Sequence, residues 1–181
     1  MRVSILTFVL ALTSSVLFSQ KKISDEVLYR LKTEITQEAN KLKDSLAKEA
    51  DEFTSEIAID FKYDIFQIIE LRKRRMEIDY STAGMSAAVY EEEKGYDKLL
   101  NKYYTILKKK LSKEDQLILK QSQLNWLRFR DSERKLNGLI THENYSGGGS
   151  IQSNIRAGKF CEITRRRLFE IVAYLDRFIN E

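Results

Sequence analysis

Apolar residues recur at a steady interval along the first third of the chain. Between Ser24 and Asp79 there is no glycine or proline, and three series of apolar positions are each spaced eleven residues apart. The series are Leu31, Leu42 and Phe53; Ile35, Leu46, Ile57 and Ile68; and Ala39, Ala50 and Phe61. Because eleven residues occupy close to three turns of an α-helix, the spacing predicts a long N-terminal helix within residues 20–79.

An unbroken helix over this segment would be roughly 80 Å long at about 1.5 Å per residue, which exceeds the width of a small domain. Its first half must project, fold back through a break near Glu49 to Thr54, or pair with a second chain. The apolar stripe over residues 28–50 is narrow, like the seam of a coiled coil. We therefore expect a projecting or self-associating arm, with a homo-oligomer formed through residues 24–60.

Three further helices follow, and a serine or threonine stands at the start of each. The first runs from Ser81 or Thr82 to about Leu111, the second from Ser112 to about Leu136, and the third from Ser150 to about Ile179. Gly138 is expected to terminate the second helix, before a loop rich in Asn, Ser and Gly. No segment alternates with the period of a strand. The predicted fold is all-α, a small helical bundle with a long N-terminal helix.

The chain begins with a pattern typical of export. Arg2 precedes an apolar run from Val3 to Phe18, which is short for a membrane span of about 20 residues. We predict a signal peptide over residues 1–19, with an uncleaved N-terminal anchor as the alternative. The protein is then exported, to the periplasm or the medium. The expected division of the chain is residues 20–79 for the helical arm and residues 80–181 for the domain.

Composition narrows the possible chemistry. The sequence has one cysteine, Cys161, so no internal disulfide can form. We expect a buried thiol, with a disulfide between two chains as the alternative. His142 is the only histidine and lies in the predicted loop without an evident partner for acid–base catalysis. No pair of His or Cys residues has metal-ligand spacing. We therefore expect no catalytic residues, no metal, no cofactor and no enzyme activity.

The formal net charge of +4 is distributed unevenly. Residues 20–79 carry 12 basic and 14 acidic side chains, whereas residues 80–181 carry 18 basic and 13 acidic side chains. This bias falls short of the basic stripe of a nucleic-acid-binding protein. Neither nucleic acid nor a membrane, beyond the signal segment, is an expected partner.

Trp126, the single tryptophan, is the most informative residue of the helix predicted from Ser112 to Leu136. It shares a stripe with residues three and four positions away, as a core residue does. The alternative is a base-stacking platform with Arg128 and Arg130 as phosphate contacts. These two arginines lie about 200° apart around a helix, so they cannot line one groove together. We expect a core tryptophan, with Arg130 close enough to stack over its ring or to reach an acid elsewhere. We expect Phe129 to face another helix.

Several runs together resemble a known family. They are "LLNKYYTILKKKLSKEDQLILKQSQLNWLRFRDSE", then "GGGSIQ" and "CEITRRRLFEI", with "STAGMSAA" ahead of them. In this order they resemble the LprI-like lysozyme-inhibitor domain, a small exported helical domain of bacteria, over about residues 80–175. The recurring positions fall on Leu100, Asn101, Tyr104, Gln123, Trp126, Arg130, Asp131, Gly149 and Ser150. Relatives often carry cysteines near Ala88, Arg134 and Lys159, and this chain lacks them.

The resemblance implies a protein-binding role, with a lysozyme as the possible partner. Because lysozymes are commonly cationic, an inhibitor should present acidic side chains. The local candidate is the acidic segment, Tyr90 to Asp97, and the residues expected to contact a partner are Tyr90, Glu91, Glu92, Glu93, Tyr96 and Asp97. A solvated helix turn is the alternative interpretation of these acids. The alternative function is a structural envelope protein that self-associates, or docks a partner, through its N-terminal helix.

Overall fold

The computed structural model describes residues 23–178, which form six helices and, within this range, no strand. The helices are α1 Asp25–Glu49, α2 Glu56–Ile78, α3 Thr82–Lys110, α4 Lys113–Ile140, α5 Glu143–Ser146 and α6 Ile151–Leu175. The prediction of an all-α bundle is confirmed. The predicted signal peptide over residues 1–19 lies outside the described residues.

The N-terminal segment is a helical hairpin and not one continuous helix. α1 ends at Glu49, and α2 begins at Glu56, where the Ser55 side chain accepts a hydrogen bond from the Ala58 amide at 3.1 Å. Between them the Asp51 carboxylate accepts a hydrogen bond from the Thr54 hydroxyl at 2.5 Å, which closes a tight turn. The chain thus folds back at the break considered above. The projecting arm is a wrong prediction.

α1 and α2 pack antiparallel, since residues later in α1 meet residues earlier in α2. The hydroxyl of Thr36 lies 3.3 Å from Gln67, and Lys43 is 2.6 Å from Asp60. Leu31, Ile35 and Ala39 are the buried residues of α1. Part of the predicted coiled-coil seam is therefore covered within one chain. Self-association through residues 24–60 stays a prediction.

α3 is the central helix, packed between α2 and α6. The Tyr103 hydroxyl donates to Asp64 of α2 at 2.8 Å, and the Thr164 hydroxyl of α6 donates to Glu93 of α3 at 2.9 Å. α3 and α6 run parallel, and together they supply most of the core. The core residues are Tyr96, Leu100, Tyr103, Leu107, Leu119, Cys161, Leu168, Ile171, Val172 and Leu175. The prediction that Cys161 is a buried thiol is confirmed.

α4 runs antiparallel to α3 and α6 at the edge of the bundle. Ser112 caps its first turn as predicted, because its hydroxyl accepts a hydrogen bond from the Asp115 amide at 3.1 Å. The expected end at Gly138 is wrong, since α4 continues to Ile140 and the Thr141 hydroxyl then donates to the Asn137 carbonyl at 2.7 Å. α4 has a single buried residue. Its position leaves much of its apolar surface uncovered.

Candidate functional site: a groove between α4 and α6

Trp126 lies at the edge of the core and not at its centre. Its ring is partly buried and packs against the core residues. The guanidinium of Arg130 lies over the ring, with its central carbon 5.2 Å from the ring centre. Arg130 is also 3.7 Å from Asp97 of α3 and 2.9 Å from Asp131. The predicted stacking is present, and one side of the tryptophan remains beside an open groove.

The acidic segment of α3 is divided among neighbouring helices. Glu91 is 3.7 Å from Lys32 of α1, and Glu93 forms an ion pair with Arg134 of α4. Asp97 faces Arg130. These carboxylates therefore connect α3 to other helices and do not form one exposed acidic surface.

Two residues of that segment are inaccessible to a partner. Glu92 is 8% exposed and Tyr96 is 2% exposed. The Tyr96 hydroxyl donates to Glu92 at 2.9 Å, and Arg72 of α2 is 3.5 Å from the same carboxylate. Burial and the nearby Glu92 charge raise the pKa of Tyr96 well above its usual range. Their assignment to a partner-binding surface is wrong, because α3 turns these side chains inward. Tyr90 instead packs edge-on against Phe160, with the ring centres 6.4 Å apart.

The residues that carry the resemblance are mostly placed to hold the bundle together. Leu100 is 1% exposed, and Tyr104 packs against the core. Gln123 accepts a hydrogen bond at 3.1 Å from Arg167, a buried arginine of α6. The Asn101 amide group donates to the Asp97 carbonyl at 2.9 Å, one turn back on α3.

The loop before α6 holds the last two of these residues. Gly149 has a φ of +89°, a conformation that favours glycine. Ser150 stands at the N-cap of α6 but makes no side-chain capping bond. Gly149 thus supplies the positive φ that leads the chain into α6. The capping hydrogen bond predicted for the Ser150 side chain is absent.

A groove of about 800 Å³ runs between α4 and α6, with α5 at one end. Trp126 forms part of its wall. Large apolar side chains that are exposed by more than a third also line it, namely Phe129, Leu136, Ile140, Tyr145 and Ile155. The prediction that Phe129 faces another helix is wrong, because its side chain is 55% exposed. We call this surface the α4–α6 groove.

The charged residues around the α4–α6 groove nearly balance. Glu162 is 2.9 Å from Arg165 and 3.5 Å from Arg166, and the hydrogen bond from Arg165 lowers its pKa. Glu170 pairs with Arg167 at 3.1 Å. The groove is therefore an apolar surface with a polar rim whose charges are mostly paired, and protein–protein interfaces have the same pattern of an apolar centre and a polar rim.

Comparison with known families gives one result that bears on this arrangement. A family model described as lysozyme inhibitor LprI matches residues 74–171, more than half of the chain. The chain belongs to the LprI family. No curated protein matches it, and no solved structure matches it.

The LprI match begins at the end of α2 and extends over α3, α4, α5 and most of α6. The whole α4–α6 groove lies within the matched residues, whereas α1 and nearly all of α2 precede them. The family resemblance inferred from the sequence is confirmed.

Sequence patterns alone did not reveal the groove in this LprI-family chain. Ile151 and Ile155 follow the helical spacing of core residues, but they are 56% and 45% exposed. One sequence signal could have predicted the groove. α4 and α6 carry more apolar residues than a single buried stripe requires. In residues 23–178 no three His, Cys, Asp or Glu side chains are grouped to hold a metal ion, and no helix is long and apolar enough to cross a membrane.

Proposed function

We propose that this protein is an exported, non-catalytic module of the cell envelope that binds and inhibits a lysozyme. The observation that carries the proposal is membership of a family described as lysozyme inhibitors. The export pattern of residues 1–19 supports an extracytoplasmic site of action, where lysozymes are encountered.

The α4–α6 groove is the surface we propose for the partner. Large contiguous apolar patches are uncommon on the surface of monomeric proteins, and those rimmed by polar residues mark interaction sites. Trp126 and Tyr145 place aromatic side chains in or beside this groove, and aromatic residues carry much of the binding energy at interfaces. The shallow, open shape suits a loop or helix of another protein.

The acidic segment of α3 is the weaker candidate surface. Glu91, Glu93 and Asp97 each have a basic partner on another helix. A lysozyme that bound there would have to compete with these internal ion pairs. The proposed interface depends on apolar contact, so its affinity should change little with salt.

The proposal is tested by measuring the inhibition of several lysozymes by the purified protein in a cell-wall lysis assay. Inhibition that saturates at a fixed protein-to-lysozyme ratio is expected, together with a complex that withstands raised salt. Failure to bind any lysozyme, even at low salt, would remove the proposed function.

Light scattering of the same sample tests the alternative role in self-association, since a monomer at all concentrations contradicts it.

A further inference from the structure

A second cavity lies on the opposite part of the bundle, between α1, α2 and α3. It is a cleft of about 400 Å³, within the range of about 300–1,000 Å³ typical of small-molecule sites. The N-terminal hairpin supplies one wall and α3 supplies the other. We call it the hairpin cleft. It is separate from the α4–α6 groove and does not depend on the proposed inhibition of lysozyme.

The base of the hairpin cleft is apolar. Ile35 of α1 and Ala88 of α3 lie behind it as buried residues. Ile68 and Leu71 of α2, which are half-buried, supply its accessible apolar surface. α2 and α3 approach closely here, because a Cβ atom at Gly95 would lie only 3.0 Å from the Ile68 side chain. This surface suits a ligand with an apolar body.

The rim of the hairpin cleft carries an excess of positive charge. Lys32, Arg72, Lys94 and Lys98 line it, against two acids, Glu91 and Glu92. Lys32 and Arg72 face those two acids at 3.7 and 3.5 Å. Lys94 and Lys98, one turn apart on α3, make no ion pair with any residue in the described range 23–178. Two cationic side chains are thus available at the mouth of an apolar cleft.

Arg72 lies at the same mouth, but Glu92 already pairs with it. The Arg72 Nε atom is 3.5 Å from the Glu92 carboxylate. Lys94 and Lys98 are therefore the cationic side chains available to the head group of a ligand.

We propose that the hairpin cleft binds a single-chain anionic amphiphile, with its head group at Lys94 and Lys98 and its chain on the apolar base. A fatty acid and a phosphate-headed lipid share this chemistry. The cleft volume favours a short chain. The α1–α2 hairpin, which precedes almost the whole of the family match, then has a binding role of its own.

Calorimetric titration with decanoate and with decyl phosphate, each below its micelle concentration, tests the proposal. Both are expected to bind the intact protein, and decanol is expected to bind at least tenfold more weakly than decanoate. A tenfold preference for either anionic head identifies the source, a carboxylate or a phosphate lipid. Equal binding of decanol and decanoate, or no binding of either anion, would overturn the proposal.

Matched variants locate the site. Lys94→Gln combined with Lys98→Gln should weaken decanoate binding at least tenfold. Lys108→Gln combined with Lys109→Gln removes the same charge from α3 outside the cleft. This control pair should change the affinity for decanoate by less than twofold. Equal losses of decanoate affinity in the two double variants would show a general effect of charge and would contradict binding in the hairpin cleft. All four lysines are exposed, so folding should be preserved, and thermal unfolding verifies it.

Discussion

Arg130 covers one face of Trp126, with its guanidinium carbon 5.2 Å from the ring centre and one helical turn between the two residues. The same guanidinium is 3.7 Å from Asp97 of α3. Arg130 therefore shields the indole and also attaches the peripheral helix α4 to the central helix α3. Since α4 has only Leu119 fully buried, such polar contacts contribute a large share of its attachment.

Replacing Arg130 with alanine should expose the indole. We expect acrylamide quenching of Trp126 fluorescence to rise, and the free energy of unfolding to fall by about 1–2 kcal/mol through loss of the cation–π contact and the ion pair. Arg128→Ala is the matched control, because this exposed arginine of α4 has no ion pair in residues 23–178. Equal quenching in the two variants would contradict the stacked arrangement.

Glu93 joins three helices at one carboxylate. It accepts a hydrogen bond from Thr164 of α6 at 2.9 Å and pairs with Arg134 of α4. Glu93→Gln leaves Arg134 without its charged partner in a largely buried position, so we expect a loss of about 2–3 kcal/mol in urea unfolding. Glu133→Gln, an unpaired acid of α4 within the described residues, should change stability by less than about 0.5 kcal/mol. A double-mutant cycle with Arg134→Gln should give a coupling energy of about 1–2 kcal/mol.

Two helical glycines should respond in opposite directions to alanine. At Gly95 the added Cβ would lie 3.0 Å from Ile68, whereas at Gly158 of α6 nothing lies within 4 Å. Alanine is favoured over glycine by about 1 kcal/mol within a helix. Gly158→Ala should therefore stabilise the protein by about 0.5–1 kcal/mol, and Gly95→Ala should destabilise it by about 1–2 kcal/mol through overpacking. Stabilisation by both changes would show that α2 and α3 are less closely packed than described.

Local signals placed the starts of α3 and α4 correctly. The starts at Ser81 and Ser112 depend on a side chain that caps an amide three residues later, and such contacts are visible in sequence. The break after Glu49 was harder to identify, because it contains neither glycine nor proline. The eleven-residue spacing even continues through Phe53, which is 83% exposed in the turn.

Residue roles that depend on distant partners could not be derived in this way. Glu92 belongs to an acidic run whose composition is typical of a solvated helix turn. In the fold it lies beside Arg72, twenty residues earlier in the chain. The packing of α2 on α3 brings these two side chains together. The α4–α6 groove was missed for a related reason. Apolar spacing shows which face of a helix is apolar, but not whether another helix covers that face.

The free energy of unfolding should fall in alkaline solution, because a buried thiol and two buried tyrosine hydroxyls keep their protons in the folded protein and lose them on unfolding. Burial raises the pKa of the Cys161 thiol from about 9 to about 12, and the Glu92 carboxylate adds to the effect. The unfolded chain loses this proton near its ordinary pKa while the folded protein keeps it, so the unfolded state binds fewer protons. The contribution of the thiol to the free energy of unfolding is fully present below pH 9. It is lost between pH 9 and about pH 12, by up to about 1.4 kcal/mol per pH unit.

Urea unfolding of the wild type and of Cys161→Ala at about pH 8 and about pH 10 measures this loss. The variant is less stable at the lower pH, because it leaves a small cavity, but its stability should fall less between the two conditions. Parallel declines in the two proteins would mean that the thiol titrates normally in the folded state. Tyr96 and Tyr103, whose pKa values burial also raises, should give a further decline at still higher pH in both.

The proposed partner surface predicts that charge placed in the α4–α6 groove abolishes inhibition without unfolding the protein. Phe129 and Ile155 are 55% and 45% exposed in the groove, so Phe129→Glu and Ile155→Glu remove apolar contacts and add charges that a bound partner would have to desolvate. Each should raise the concentration needed for half-inhibition at least tenfold. Ile118→Glu is the matched control, because Ile118 is 70% exposed on α4 outside the groove. Because all three side chains are exposed, their unfolding free energies should remain near that of the wild type. A loss of inhibition in Ile118→Glu alone would move the interface to the opposite end of α4.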